Sequence, residues 1–307
     1  MVERVLTLPG KGGEPSLLLR CCAGTGPAVL YVHGATFPSA LSVGYRFDGR
    51  SWLDDLAAHG FDAWAFDFVG FGGSDRYAEM CGACEGSPTG RADEAARQIA
   101  RAVDYVIEAT GCAQVSLIAH SWGSIPAALF ATRRPERVEA LCLFGPIAQR
   151  ALPGLPAPES VGAWREVTVA EQFARFVEDV PSGHPPVLID DALRHWGPAY
   201  LATDPMSSSR KPPSVRIPSG PRADILAAWG GTLPYAAEKI ITPTLVVRGE
   251  WDRVSNDQDA DWLLSRVGAR LRKDVKIAKG THLMHLEHSR DALFATVRGF
   301  LSDIVRS

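Results

Sequence analysis

The chain has 307 residues and a formal net charge of −3, with 46% hydrophobic and 22% charged residues. This length suits one large α/β domain or a core domain that carries an insertion. The small net charge gives no electrostatic footprint for nucleic acid or for an anionic membrane surface. No apolar run approaches bilayer-spanning length, and the first residues lack the regions of a secretory signal, so we expect a cytoplasmic protein.

The six cysteines are too few for a disulfide scaffold in a chain of this size. Cys81 and Cys84 form a CxxC pair in a loop rich in Gly, Ser and Pro. A structural zinc site would need a second ligand pair, and neither another CxxC nor an HxxxH occurs. A redox motif would need a helix that begins directly after a strand, which this loop does not supply. We therefore expect no metal site, and any role of this pair stays open.

Strands and helices alternate along the first half of the chain, which predicts a mostly parallel sheet with helices on both faces. Glycine-rich turns separate the elements. The apolar periodicity predicts strands at residues 3–8, 17–23, 28–32, 62–68 and 139–144, and helices at residues 51–59 and 93–110.

The segment from residue 115 to residue 130 has the pattern of a nucleophile elbow, in which a strand turns sharply into a helix around a serine. Ser121 has the small residues Ala119 and Gly123 two positions before and after it, where the strand and helix backbones nearly touch. Such a turn holds the hydroxyl at the top of a sheet, with the next backbone N–H facing a developing oxyanion. Ala119 stands where glycine is usual, and serine is also a good N-cap, so this segment alone leaves both interpretations open.

The character of the sequence changes between residues 149 and 238, where prolines are dense and no strand alternation is visible. Helical patterns occur at residues 169–180 and 186–195. We predict a helical lid inserted between an N-terminal core part (residues 1–148) and a C-terminal core part (residues 239–307). Five aromatic residues could line its underside, although we expect most of them to pack within it: Trp164, Trp196, Tyr200, Trp229 and Tyr235.

A serine nucleophile needs a base, and the base needs an orienting acid. Beyond the insertion we predict strands at residues 244–248 and 275–278 and a closing helix at residues 291–304. Asp252 follows the first of these strands, and His282 follows the second. The chain order Ser, Asp, His and the positions after late strands are those of elbow enzymes. We therefore predict that Ser121, Asp252 and His282 form a catalytic triad.

Other candidates lie close to the acid and the base. Glu250 and Asp257 flank Asp252, but the Gly-x-x-Asp spacing places Asp252 just past the turn. His285 and His288 lie further from the strand than the predicted base, and a histidine without a placed partner is more often structural. We therefore expect structural or surface roles for these alternatives.

An oxyanion hole requires two backbone N–H groups. Trp122 supplies one as the residue after the nucleophile, and the loop after the third strand should supply the other. Gly34 lets that loop approach closely, so the Ala35 N–H is the first candidate and the Thr36 N–H the second. We expect His33 to brace the loop by hydrogen bonding.

Together these segments resemble the α/β-hydrolase superfamily, in its lid-bearing serine hydrolase branch. The matching segments follow the family order and span nearly the whole core: residues 30–35, 67–75, 119–123, 248–252 and 280–287. The resemblance implies a doubly wound, mostly parallel eight-stranded sheet with one antiparallel strand near its start. It also implies an active-site cleft between the core and the lid.

The predicted activity is hydrolysis of a carboxylic ester, thioester or lactone through an acyl-enzyme on Ser121, without a metal or organic cofactor. The substrate would be a small molecule, with an apolar or aromatic portion suggested by the lid aromatics. Carbon–carbon bond or amide hydrolysis on the same triad and non-catalytic binding of a small molecule remain the alternatives. Haloalkane dehalogenases and epoxide hydrolases of the superfamily use an Asp nucleophile, so Ser121 argues against both.

The elbow at residues 121–124 also resembles that of proline iminopeptidases. Those enzymes carry a second glycine and a proline after His-Gly, where this chain has residues 35–38 with the sequence Ala-Thr-Phe-Pro. We therefore do not expect aminopeptidase activity.

Overall fold

The computed structural model describes residues 2–306, apart from the side chains of residues 190–193. The strands in this part of the chain are β1 (Glu3–Leu8), β2 (Leu17–Cys22), β3 (Ala28–Val32), β4 (Asp62–Phe66), β5 (Val115–His120), β6 (Val138–Phe144), β7 (Trp164–Thr168), β8 (Ser214–Pro218), β9 (Thr244–Gly249) and β10 (Arg272–Ile277). The helices are α1 (Trp52–Ala58), α2 (Ala92–Thr110), α3 (Ser124–Arg133), α4 (Val169–Val177), α5 (Asp190–Ala202), α6 (Gly220–Trp229), α7 (Asp257–Arg266) and α8 (Arg290–Val305).

The main sheet contains eight strands in the order β1-β2-β4-β3-β5-β6-β9-β10. The strand β2 is antiparallel to both of its neighbours, and the other neighbouring pairs are parallel. Parallel neighbours need crossover connections, which here are mostly helical. The predicted doubly wound, mostly parallel sheet with one antiparallel strand near its start is confirmed.

Helices cover both faces of this sheet because its central strands are apolar on both sides. Successive side chains of a strand point to opposite faces. Leu30 and Leu117 accordingly pack in the cluster that contains α2 and α3, whereas Tyr31 and Ile118 pack in the cluster that contains α1 and α8. The core therefore lies in two layers that hold the sheet rigidly between them.

Local signals account for the ends of the core helices. Ser51 and Asp54 form a capping box at the start of α1. Gly111 ends α2 in the left-handed conformation, with φ at 73°. Pro126 lies in the first turn of α3, where its missing N–H removes no helical hydrogen bond. The core helices predicted at residues 51–59, 93–110 and 291–304 thus differ from the observed ones by at most one residue at each end.

The inserted segment, residues 149–238, contains a feature that the sequence-based prediction lacked. Its strands β7 and β8 form a two-stranded antiparallel sheet, so the prediction of helices alone was wrong. The second predicted helix was also misplaced, because α5 begins at Asp190 and continues through Pro198 to Ala202. Trp196 and Tyr200 explain this continuation, since both rings are buried and stack with centroids 5.1 Å apart. Tertiary packing here outweighs the local preference of proline.

Buried polar contacts join the inserted segment to the core. The Gln172 amide donates to the Thr36 carbonyl at 3.1 Å, and the Trp196 indole donates to the Leu41 carbonyl at 3.1 Å. Asp224 on α6 accepts from the Ala92 N–H at 2.7 Å, at the start of α2. These contacts hold the inserted segment over the loop that follows β3 and over the N-terminus of α2.

None of the helices in residues 2–306 combines the length and the apolar character needed to cross a membrane. The same residues contain no group of three or more His, Cys, Asp or Glu side chains placed to hold a metal ion. Cys81 and Cys84 are exposed free thiols.

Candidate active site

Ser121 lies in a strained turn between β5 and α3. Its φ of 55° is in the left-handed region, which residues other than glycine seldom adopt. A Cβ on Gly123 would lie 2.4 Å from the His33 carbonyl oxygen, so this position requires glycine. Ala119 is fully buried between Val32 and Leu143 of the neighbouring strands. The turn therefore has the strand–serine–helix geometry that the sequence predicted, with a buried alanine before the serine and a required glycine after it.

Ser121, His282 and Asp252 form one hydrogen-bonded chain. His282 Nε2 lies 2.8 Å from Ser121 Oγ, and His282 Nδ1 lies 2.9 Å from Asp252 Oδ2. Asp252 Oδ1 accepts from the N–H groups of Val254 and Ser255 at 2.9 and 2.8 Å. A carboxylate held in this way accepts the proton of Nδ1, which leaves the Nε2 lone pair for the serine hydroxyl. All three side chains are nearly buried, with exposed fractions of 6%, 3% and 4%.

Gly145, which follows β6, allows the acid and the base to meet, and the sequence analysis did not single it out. Its φ is 54°, and a Cβ there would lie 2.9 Å from His282 Nδ1 and 3.0 Å from Asp252 Oδ2. A side chain of any size would intrude on the hydrogen bond between them. The only local signal was a glycine directly after a buried strand.

We expect Gly145→Ala to lower turnover by about 100-fold or more, because small displacements of reacting groups have effects of this size. Gly111→Ala is the matched control, since Gly111 has a similar φ of 73° but nothing within 4 Å of its Cβ position. Both variants bear backbone strain, and only the first should lose activity when initial rates and thermal melting are compared. Equal losses of activity in the two variants would contradict the proposed contact.

The alternative acids and bases contact other groups. Glu250 accepts from the Lys279 N–H at 2.9 Å, and Asp257 pairs with Arg248. His285 is buried against the ring of His120, and burial together with His282 lowers the pKa of His285 to about 3. His288 is exposed. Of the carboxylates and histidines weighed, the structure brings only Asp252 and His282 to Ser121.

The loop that carries His282 is held from two sides. His120, next to Ser121, lies with Nε2 3.0 Å from the His282 carbonyl oxygen and donates to it. Burial lowers the pKa of His120, which keeps its ring neutral. Glu287 is fully buried and accepts from both the backbone N–H and the hydroxyl of Thr281. These contacts position the base, and no periodicity in the sequence indicated them.

Burial raises the pKa of Glu287 from 4.5 to about 7. The folded state therefore favours the neutral carboxyl, and stability falls as pH rises from about 4.5 to about 7. We expect Glu287→Gln to remove this decline. Between pH 4.5 and pH 8, the free energy of unfolding of the variant should therefore rise by about 3 kcal/mol relative to that of the wild type. Urea unfolding of both proteins across this range tests the prediction, and parallel pH curves would contradict it.

The loop after β3 lies directly against Ser121. A Cβ on Gly34 would lie 3.2 Å from Ser121 Cβ, and the Ala35 and Thr36 residues line the same cavity as Ser121. His33 braces this loop as expected: its Nε2 accepts from the Phe68 N–H at 3.0 Å, and its Nδ1 lies 2.8 Å from the Gly34 carbonyl oxygen.

Trp122 lies in the first helical turn after Ser121, where backbone N–H groups have no partner within the helix. Its indole N–H donates to Asp224 Oδ2 at 3.0 Å, which links the elbow to α6 of the inserted segment. The structure thus brings the segments of Ala35 and Trp122 together at Ser121.

A cavity of about 300 Å³ opens at Ser121 and His282, between the sheet and the inserted segment. Of the five aromatic residues considered in the sequence, Trp229 lines this cavity, Tyr200 stacks on Trp196, and the Trp196 ring also packs against Phe37 of the core. Other apolar residues share the lining: Phe37, Phe176, Ile225, Leu226, Val254 and Leu283. The cavity also has a polar side, formed by three arginines that the sequence analysis missed.

The fold and this site define an α/β-fold serine hydrolase. A family model described as serine aminopeptidase, S33, matches residues 46–289. Since this match covers most of the chain, the chain belongs to that family of α/β hydrolases.

Solved structures of several hydrolases share the fold at low sequence identity. The thioesterase domain from the curacin biosynthetic pathway is 18% identical, with a TM-score of 0.63 over 97% of this chain and 99% of that one. A serine hydrolase involved in carbazole degradation is 20% identical, with a TM-score of 0.65 over 98% of both chains. An epoxide hydrolase from Vigna radiata is 17% identical, with a TM-score of 0.66 over 98% of both chains.

A curated relative, epoxide hydrolase 2 from Siraitia grosvenorii, is 33% identical over 118 residues. This match covers 38% of the chain and 32% of the relative. The chain therefore matches only about a third of the length of this relative.

Proposed function

We propose that this protein hydrolyses a carboxylic ester, thioester or lactone of a small molecule through an acyl-enzyme on Ser121. The observation that supports this proposal is the chain of hydrogen bonds from Ser121 through His282 to Asp252, at 2.8 and 2.9 Å, beside a cavity. In this mechanism the Ser121 hydroxyl attacks the carbonyl carbon while His282 Nε2 takes its proton. Asp252 holds the ring and stabilises the imidazolium.

The remaining steps use the same groups. The backbone N–H groups of Ala35 and Trp122 would bind the oxyanion of the tetrahedral intermediate. His282 then gives its proton to the leaving group as the bond to the carbonyl carbon breaks. Water, deprotonated by His282, attacks the acyl-enzyme and returns Ser121 to its starting state. No step in this scheme requires a metal or an organic cofactor.

The serine nucleophile also affects whether this chain could act as the epoxide hydrolases among the similar proteins do. Attack of a hydroxyl on an epoxide carbon would form an ether, which water does not hydrolyse at a site built for carbonyl chemistry. Attack on an ester carbonyl forms an acyl-enzyme that water can cleave. The identity of residue 121 therefore favours acyl transfer over epoxide opening.

We also propose that the inserted segment, residues 149–238, acts as a lid. Its elements β7, α4 and α6 supply part of the lining of the cavity that contains Ser121 and His282. A segment in this position can select substrates and exclude water during the reaction. The apolar lining that includes Phe37, Phe176 and Trp229 suits an apolar or aromatic portion of the substrate.

A fluorophosphonate probe tests the nucleophile directly. We expect one covalent adduct on Ser121 in the folded protein and none in Ser121→Ala, with the adduct located by peptide mass spectrometry. Absence of the adduct in folded wild-type protein would contradict the proposal and favour a non-catalytic binder. A panel of esters, thioesters, lactones, amides and compounds with a scissile carbon–carbon bond, assayed with both proteins, then identifies the bond that is hydrolysed.

A further inference from the structure

Three arginines of the inserted segment line the cavity that contains Ser121. Arg165 is on β7, Arg175 is on α4 and Arg222 is on α6. They belong to three different elements, so the repeat of a single helix or strand does not explain why they line the same cavity. The cavity lining described above includes no Asp or Glu.

These guanidinium groups lack counter-ions within the cavity. Among the described side chains, Arg165 and Arg222 have no ion-pair or hydrogen-bond partner, and the ion pair of Arg175 is with Glu178 at 4.0 Å. Glu178 is exposed and does not belong to the cavity lining. Burial lowers the pKa of Arg165, and the charges of Arg175 and Arg222 lower it further against the opposing effects of Tyr200 and Glu171. Glu171 is exposed and, like Glu178, does not belong to the cavity lining. An anion among these groups would offset their repulsion, which is strongest between the half-buried Arg165 and Arg175 because Arg222 is exposed to solvent.

Other arginines of the same segment are neutralised. Arg210 pairs with Asp204 at 2.7 Å, and Arg216 pairs with Glu166 at 3.3 Å while its guanidinium lies over the Trp164 ring. Arg150 pairs with Asp259 at 2.6 Å. Arg165 and Arg222, which have no ion pair with any described side chain, and Arg175, whose ion pair is as long as 4.0 Å, all line the cavity beside Ser121. This is the arrangement expected of a ligand site.

We infer that the substrate carries an anionic oxyacid group, a carboxylate or a phosphate, that Arg165, Arg175 and Arg222 bind while the scissile carbonyl lies against Ser121. Guanidinium groups bind both oxyacids through paired hydrogen bonds, and partial burial, as at Arg165 and Arg175, strengthens them. The volume of about 300 Å³ is at the small end of ligand sites, so the substrate is a small acidic ester. This inference rests on the proposed function and specifies its substrate class.

The test compares 4-nitrophenyl hemiglutarate, which has a free carboxylate, with 4-nitrophenyl pentanoate, its neutral analogue of the same acyl chain length. We expect the wild type to prefer the acidic ester in kcat/KM by about 10-fold to 100-fold, the range of one or two charge-assisted hydrogen bonds. High salt should reduce the preference. Arg165→Gln and Arg222→Gln should each bring the ratio of the two kcat/KM values toward one. Arg216→Gln, whose arginine is outside the cavity, should retain the wild-type ratio.

A binding measurement keeps the inference separate from the proposed hydrolysis. Calorimetric titration of Ser121→Ala with glutarate and with inorganic phosphate needs no turnover and shows which oxyacid binds. Binding that is lost when Arg165→Gln is added supports the inference even if neither ester is cleaved. Failure of the proposed function would show separately, as the absence of the fluorophosphonate adduct on Ser121. Equal kcat/KM values for the two esters in the wild type, or the absence of binding of either anion, would overturn the inference.

Discussion

Replacement of Ser121 by alanine is expected to lower turnover by about four to six decades while the protein stays folded. The substitution removes only Oγ, whose partner in the structure is His282 Nε2. Alanine tolerates the left-handed φ of 55° about as well as serine does, so the backbone of the turn should persist. Steady-state hydrolysis of an activated ester measures the loss, and thermal melting checks the fold.

Ser124→Ala is the matched control for this variant. Ser124 lies three residues further along the same turn, and its hydroxyl accepts from the Ile147 N–H at 3.1 Å outside the cavity. Its loss should lower stability by about 1–3 kcal/mol, because a buried donor loses its acceptor. We expect turnover to change by less than about tenfold. If Ser121→Ala retained ester hydrolysis, the assignment of the nucleophile would be wrong.

Replacement of Asp252 by asparagine is expected to lower turnover by about four decades. The asparagine carbonyl can still accept from Val254 and Ser255, but its NH₂ group would face His282 Nδ1. Imidazole then places its proton on Nε2 and cannot accept the proton of Ser121. The geometry should stay intact while the base is lost, so single-turnover kinetics should show a slow acylation step.

Asp257→Asn distinguishes this prediction from the neighbouring alternative. Asp257 is exposed and pairs with Arg248 and Lys276, away from the imidazole. Screened surface pairs contribute little, so we expect wild-type turnover. A larger loss in Asp257→Asn than in Asp252→Asn would reverse the assignment of the acid.

The main sheet was predictable because its strands carry their signal locally. Apolar runs bounded by glycine and proline predicted the eight strands of this sheet to within a few residues. The strands β7 and β8 carried no comparable signal, since charged and polar residues interrupt both of them and they pair across about 45 residues. The helix α5 was misplaced because Gly197 and Pro198 lower the local preference for a helix that burial of Trp196 restores.

The candidate site also contains residues that the sequence predicted and contacts that it did not. Ser121 was recognisable from its own turn, and Asp252 and His282 were recognisable from their order and their places after strands. The contacts of Gly145 and His120 with the loop of His282 were not recognisable from the sequence, because they join elements separated by more than 100 residues.

The amino-acid sequence was sufficient to predict the class of fold, the reacting residues and the chemistry they support, since these depend on local patterns and on chain order. The three arginines show what it could not predict. Arg165, Arg175 and Arg222 are ordinary charged positions on a strand and two helices, and any of them could have faced solvent. They meet in one cavity because β7, α4 and α6 pack together over Ser121, and such packing is a property of the assembled chain.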